Sequence, residues 1–224
     1  MLEWVTRDGK LLLFARPLQS FSASFVTIFI AVYLSFLGLP LWQIGFVLTG
    51  GLLASTLFNM VAGFLADRVG RRRMLVFFGL IPVLAGVAYA TMTNPYLLVP
   101  IAVVSTLGSR GGFGPANMLE GVILAQACSD ERRTRLYAIR STLNSVAVSA
   151  GSLFAGAIVL LQNRFGLSVG ASYMWMFGIY ALLNLLTVAL YSLLSDAAEV
   201  ENPAEEPPPG CIPHRHAYFP IRVL

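Results

Sequence analysis

The chain has 224 residues, of which 57% are apolar and 12% are charged, and its mean hydropathy is +0.74. Soluble domains are about 45–50% apolar and about 25% charged, so this composition excludes an ordinary soluble enzyme, and its hydrophobicity excludes a disordered chain. Two cysteines are too few for a disulfide framework or a four-cysteine zinc site. The composition predicts a membrane protein with the lipid bilayer as its main partner.

Long stretches without charged side chains indicate membrane-spanning helices. No Asp, Glu, Lys or Arg occurs in residues 17–66, 74–109, 141–163 or 165–195, and one span needs about 20 apolar residues. These runs are apolar on every face, which favours helices over a β-barrel. We predict an all-α, multi-pass protein with six transmembrane helices, at about 17–38, 43–65, 74–93, 96–126, 137–161 and 171–194.

The positive charges lie almost entirely on one side of these spans. Of the 15 Lys and Arg residues, all but Arg110 and Arg164 fall in the two terminal tails or in the second-to-third and fourth-to-fifth loops. Because Lys and Arg accumulate in cytoplasmic loops, we expect both termini to be cytoplasmic and the membrane to be the plasma (inner) membrane. This distribution explains the basic pI without nucleic acid as a partner.

The second predicted helix runs into a motif in the second-to-third loop, Gly63-Phe64-Leu65-Ala66-Asp67-Arg68-Val69-Gly70-Arg71-Arg72-Arg73. Glycine permits close helix approach or a tight turn, and Asp67 can pair with a cation or a helix N-terminus. The chain resembles the major facilitator superfamily, whose corresponding loop carries G-x-L-a-D-r-x-G-R-r-x, over about residues 16–195. The resemblance implies a conformational latch centred on Asp67 and formed by Gly63, Asp67, Arg68, Gly70 and Arg71.

The resemblance also implies a fold and a function. Family members usually have two six-helix halves, each built from two inverted three-helix repeats, with substrate bound between the halves. The six predicted helices equal one such half. We therefore expect a secondary active transporter that moves a small-molecule substrate by alternating access, with a coupling ion such as H+ and a second six-helix half from another copy or a separate chain. The alternatives are a truncated, non-transporting fragment of a twelve-helix transporter and a membrane-embedded regulator.

Three polar residues of the predicted fourth helix are candidates for the substrate or ion cavity. An arginine within a span costs at least about 2.5–3.5 kcal/mol, so Arg110 needs a functional or structural reason. By the helical repeat, Asn117 and Glu120 share one broad polar face with Arg110. We interpret Arg110, Asn117 and Glu120 as lining the cavity. The alternatives are a structural pair between Arg110 and Glu120, or a Glu120 that is solvated at the membrane interface.

Other intramembrane residues fit a packing role. We expect Asn59, Asn144 and Asn184 to form hydrogen bonds between helices. The small residues Ala147, Gly151 and Ala155 recur every four positions, which predicts close helix packing.

Residues 1–16 are predicted to form a cytoplasmic N-terminal tail, 17–195 the six-helix bundle and 196–224 a cytoplasmic tail. The last segment is acidic and proline-rich, a composition typical of disorder. Cys211, His214 and His216 in this short segment do not predict a metal site. We find no phosphate-binding loop or dinucleotide fingerprint, and we expect no cofactor and no enzymatic activity.

Overall fold

The computed structural model describes residues 6–92, 94–109, 115–126 and 130–194. Eight helices occur in these ranges: α1 (Arg7–Phe36), α2 (Leu41–Val69), α3 (Arg71–Thr91), α4 (Pro95–Ser109), α5 (Pro115–Gln126), α6 (Asp130–Phe154), α7 (Ala157–Phe165) and α8 (Val169–Ser192). Successive spans run in opposite directions. The start of α1, the junction of α2 with α3 and the end of α8 therefore lie at the same end of the bundle, here called the basal end. The tail predicted over 196–224 lies outside the described residues.

Five helical segments of the described chain are long and apolar enough to cross a membrane: Arg7–Phe36, Leu41–Gly63, Arg71–Thr91, Arg133–Phe165 and Val169–Ser192. They correspond to five of the six predicted spans. In the range of the predicted fourth span the structure has α4 and α5, of 15 and 12 residues, each shorter than a span. Residues 110–114, which lie between them, are outside the described ranges.

The ends of two predicted helices differ from the structure. The first was predicted to begin at residue 17, but α1 begins at Arg7, where the side chain of Thr6 accepts a hydrogen bond from the Gly9 N–H at 3.2 Å. The prediction was wrong because it followed uncharged residues only, and charged residues near a helix start do not end a helix. The fifth was predicted to be continuous, but a turn at Ala155 and Gly156 separates α6 from α7.

Two apolar cores lie at opposite ends of the bundle. The core at the end away from the basal end is aromatic, and Phe177 of α8 lies 4.7 Å from Tyr89 and 5.2 Å from Phe29 between ring centroids. The basal core is aliphatic and includes Leu75 and Leu136. On α1, the residues that enter the basal core lie before Pro17 and those that enter the aromatic core lie after it.

Hydrogen bonds from asparagine tie α1 to two other helices, as predicted for two of the three residues. Asn144 of α6 accepts a hydrogen bond from the hydroxyl of Ser20. Asn184 of α8 is buried and donates to Ser22 Oγ at 3.2 Å. The predicted packing role of Gly151 is confirmed, because an added Cβ there would overlap the backbone of Phe21 on α1.

The helices are buried unequally. The main pairings are α3 with α8, α1 with α6, α2 with α4, α1 with α8 and α3 with α4. Of the five span-length segments, those of α2 and of α6–α7 bury 22% and 17% of their most apolar windows, against 39–44% for the other three. Each of these two segments therefore leaves much of its apolar surface uncovered by the described chain.

Candidate functional site

Polar side chains from four helices meet inside the bundle near its basal end. The group, here called the Glu120 cluster, comprises Arg16, Gln19, Asn117, Glu120, Arg140 and Tyr191. It adjoins the aliphatic basal core, to which Tyr191 also belongs. Buried charged groups in a membrane protein are rare and mark functional sites by default, so this cluster is the candidate site.

The helical repeat places Glu120 inside the bundle. Ala116, Leu119 and Ile123 are buried, and Glu120 falls between them at the i, i+3, i+4 spacing of one helix face. The carboxylate therefore points into the bundle with its apolar neighbours, and the residue is 1% exposed. The alternative of a Glu120 solvated at the interface is wrong.

The Glu120 carboxylate uses both oxygens. Arg140 of α6 donates from Nη2 to Glu120 Oε2 at 2.9 Å and from the same nitrogen to Asn117 Oδ1 at 2.9 Å. Tyr191 of α8 donates its hydroxyl hydrogen to Glu120 Oε1. Hydrogen bonds that involve a charged partner are roughly twice as strong as neutral ones, so Glu120 fastens α6 and α8 to α5.

A second guanidinium, that of Arg16, lies near the same carboxylate. Arg16 of α1 is 6% exposed, and its Nε lies 4.0 Å from Glu120 Oε2. Its Nη1 donates to Gln19 Oε1 at 3.1 Å, and the Tyr191 hydroxyl lies 3.5 Å from the same oxygen. The side chains of α1 thus reach the same oxygen of Glu120 that Arg140 contacts.

The cluster carries an excess of positive charge. Among the described residues, two guanidinium groups flank one carboxylate, which leaves a formal charge of +1. Removing one member of a buried ion pair typically costs about 3–5 kcal/mol, because the remaining charge stays buried and unpaired. The geometry therefore makes Glu120 the group on which both arginines depend.

The structure brings together two of the three predicted cavity residues. Asn117 and Glu120 share a face, as predicted, because both accept hydrogen bonds from the same Arg140 nitrogen. The charged partners of Glu120 among the described residues are Arg16 and Arg140. Arg110 lies outside the described residues.

Sequence reasoning missed Arg16 and Arg140, which it assigned to tail and loop charges outside the membrane. A signal for both was present. Each arginine lies four residues after a leucine that proves to be buried, Leu12 for Arg16 and Leu136 for Arg140. Residues four apart lie on one helix face, so this spacing would have directed both side chains inward.

The junction between α2 and α3 lies at the same end of the bundle. Gly70 is the single residue between the two helices and has φ +99°, a conformation that side-chain-bearing residues rarely adopt. The predicted tight turn at Gly70 is confirmed. Arg72, in the first turn of α3, donates from Nη2 to the carbonyl oxygen of Ser192 at 2.7 Å. Since Ser192 ends α8, a cation there interacts favourably with the helix dipole.

The other predicted latch residues lie around this junction. Asp67 and Arg68 lie in the last turns of α2, but their side chains are outside what the structure describes. Arg71 begins α3 and is half-buried. At Gly63 an added Cβ would lie 3.7 Å from the Met118 methyl group. This is an ordinary contact, so the described atoms do not require glycine there.

No group of three His, Cys, Asp or Glu side chains that could hold a metal occurs within the described ranges. Cys211, His214 and His216 lie outside those ranges.

Comparison with known proteins identifies two relatives of the chain. It is 26% identical over 199 residues to the uncharacterized membrane protein YJR124C of Saccharomyces cerevisiae, which covers 88% of this chain and 44% of that protein. It is 31% identical over 140 residues to a Na(+), Li(+), K(+)/H(+) antiporter of Planococcus maritimus, which covers 61% of this chain and 28% of the antiporter. The chain therefore spans less than half the length of both relatives.

A family comparison agrees with the sequence resemblance. The sequence model of the Major Facilitator Superfamily matches residues 12–222, which is most of the chain. The match includes the junction motif around Gly70 and every residue of the Glu120 cluster. The chain is thus a multi-pass transmembrane protein that belongs to the Major Facilitator Superfamily, a family of transporters.

Proposed function

We propose that the chain forms one six-helix half of a secondary active transporter, which moves a small solute across the plasma membrane by alternating access. In this proposal α4 and α5 together make the fourth span, which brings the number of spans to six. Both termini are cytoplasmic, so the basal end faces the cytoplasm. A second six-helix half completes the transporter.

The observation that carries the proposal is the open, hydroxyl-rich face of α6. Six hydroxyl side chains on this helix are exposed: Thr134, Ser141, Thr142, Ser145, Ser149 and Ser152. Thr142, Ser149 and Ser152 donate to carbonyl oxygens four residues earlier at 2.9–3.0 Å, but their oxygens retain accepting capacity. A face of small hydroxyl residues suits contact with another helix or with a water-filled cavity better than contact with lipid.

The helix pairings support an inverted repeat. If α1, α2 and α3 correspond to α4–α5, α6–α7 and α8, the pairing of α1 with α6 corresponds to that of α4 with α2. The pairing of α1 with α8 corresponds to that of α4 with α3, and the pairing of α3 with α8 corresponds to itself. All of these are main contacts of the bundle, as two inverted three-helix repeats require.

We further propose that the Glu120 cluster borders the transport cavity together with Arg110 and that Asp67 acts as the conformational latch. The Glu120 cluster and the junction of α2 with α3 are connected through the end of α8. Arg72 of the junction bonds to Ser192, and Tyr191, the preceding residue, bonds to Glu120. The similarity to a cation/proton antiporter supports H+ as the coupling ion. A coupling ion drives transport only through its different affinity for two states.

Cysteine crosslinking in native membranes tests whether a second half covers α6. In a background with Cys128 and Cys211 replaced by serine, we expect Ser145→Cys on the open face to form a crosslinked adduct. The matched control is Leu185→Cys, which is exposed on α8 and should remain uncrosslinked. If Ser145→Cys stays monomeric and reacts with a lipid-soluble maleimide as readily as the control does, α6 faces lipid and the proposed half is refuted.

Proteoliposome transport tests the site residues. With an imposed pH gradient, addition of Na+, Li+ or K+ should collapse the gradient in liposomes that contain the native protein and its partner half. We expect Asp67→Asn and Arg110→Ala to abolish this activity at unchanged protein content, and the control Asp8→Asn to retain it. Unaltered transport by Asp67→Asn would refute the latch, and absence of transport by the native protein would refute cation coupling.

A further inference from the structure

The buried guanidinium of Arg16 has more donors than the surrounding protein has acceptors. A guanidinium carries five N–H donors, and Gln19 Oε1 is the one hydrogen-bond acceptor that the described residues offer it. The nearest carboxylate oxygen, at 4.0 Å from Nε, is beyond hydrogen-bond distance. Arg16 therefore holds a buried positive charge that is attracted to Glu120 without being bonded to it.

Arg140 also retains donors. Its two hydrogen bonds, to Asn117 and Glu120, both start from Nη2, so Nε and Nη1 make none within the described chain. Arg16 Nε and Arg140 Nη2 each lie within 4.0 Å of the same oxygen, Glu120 Oε2. Two arginines with spare donors thus lie against one carboxylate oxygen, in a small region that has an excess charge of +1.

We infer that Arg16 and Arg140 form a binding site for an oxyanion, a carboxylate or a phosphate. The planar guanidinium fork matches the spacing of the oxygens in both groups, and one bound anion would neutralise the excess charge of the cluster. The Arg140 side chain is 14% exposed against 1% for that of Glu120, so the anion would enter along Arg140. This inference rests on the proposed function and deepens it by naming an anionic ligand of the proposed cavity, either a soluble anion or a lipid headgroup.

Glu120 makes the inference testable in two directions. Because Glu120 competes with an incoming anion for Arg16, Glu120→Gln should tighten anion binding at least about tenfold, since it removes a negative charge a few ångströms away. Arg16→Gln should abolish binding. A purely structural cluster would lose stability in both variants and would show no anion response in either.

The experiment measures binding and involves no transport, so its failure is distinct from failure of the proposed function. The full-length protein is placed in phosphatidylcholine nanodiscs and titrated with inorganic phosphate or acetate at constant ionic strength, with chloride as the balancing anion. Thermal stability reports binding. We expect phosphate or acetate to stabilise the native protein. The control variant, Arg135→Gln, removes an exposed arginine of α6 and should be stabilised to the same extent. Arg16→Lys, which keeps the charge but loses the fork, should respond more weakly than the native protein.

A second arm distinguishes a free anion from a lipid headgroup. If phosphatidylglycerol nanodiscs stabilise the native protein more than Arg16→Gln and suppress the phosphate response, the occupant is a headgroup phosphate. If phosphate or acetate acts equally in both lipids, the occupant is a soluble anion. The inference is overturned if neither anion nor anionic lipid stabilises the native protein, if Arg16→Gln responds like the native protein, or if Glu120→Gln weakens the response.

Discussion

Gly151 brings α6 against α1, and its replacement by alanine should separate the two helices that carry Arg140 and Arg16. An added Cβ would overlap the carbonyl oxygen of Phe21 and lie 3.0 Å from its carbonyl carbon. These are backbone atoms of α1, so no side chain can rotate away to make room. Gly151→Ala therefore requires one helix to move relative to the other.

Two opposing contributions determine how much Gly151→Ala changes the free energy of unfolding. Overpacking a well-packed interior by one or a few carbons typically costs about 1–3 kcal/mol, and a backbone neighbour favours the upper part of that range. Alanine is favoured over glycine inside a helix by roughly 0.5–1 kcal/mol. We expect Gly151→Ala to lower the free energy of unfolding by about 1–2 kcal/mol. The control, Gly178→Ala on α8, meets no atom of the described chain within 4 Å and should leave stability unchanged or slightly raised.

Unfolding of the purified protein in mixed micelles with increasing dodecyl sulfate, followed by tryptophan fluorescence, measures both variants. We expect a clear difference between the two variants, although both carry the same substitution and both glycines lie in helices. Equal transition midpoints for Gly151→Ala and Gly178→Ala would show that α1 and α6 are not in backbone contact in the membrane protein.

Two further predictions concern local structure. Gly70→Ala should destabilise the protein by about 1–3 kcal/mol, since φ +99° is a strained conformation for alanine; Gly166→Ala, at φ +61° in the left-handed helical region, should cost less, about 1–2 kcal/mol. The same unfolding assay measures both variants, and a larger loss of stability for Gly166→Ala than for Gly70→Ala would contradict this prediction. Asn184→Ala removes donors to Ser22 Oγ and to the Tyr180 carbonyl and should cost about 0.6 kcal/mol in the same assay; an unchanged transition midpoint would contradict this.

Much of the fold is predictable from where charges are missing, because hydrocarbon excludes charge and each span therefore produces an uncharged run. The runs locate α2, α3 and α8 within a few residues. They place the start of α1 too late, since Arg7 and Lys10 are helical despite their charge. They also do not reveal the turn between α6 and α7, because a short break leaves the chain as apolar as before.

The candidate site is predictable only in part. Glu120 and Asn117 were found because a charge or an amide in an apolar run is conspicuous. Arg16 and Arg140 were not, because they lie at the edges of such runs, where an arginine is ordinarily solvated. Their burial depends on how α1, α6 and α5 pack together, and tertiary packing of that kind is not encoded in the composition of any one helix.

Pro17 has a mechanical consequence for the charged end of the bundle. Proline lacks an N–H, so α1 loses one backbone hydrogen bond between the residues held by the aliphatic core and those held by the aromatic core. A helix that is packed on both sides of such a break bends at the break, and its packing on either side is retained. Arg16 immediately precedes Pro17 and would move with the N-terminal segment of α1. A tilt of a few degrees at Pro17 would therefore alter the distance between Arg16 and Glu120, while the packing of the aromatic core stays unchanged.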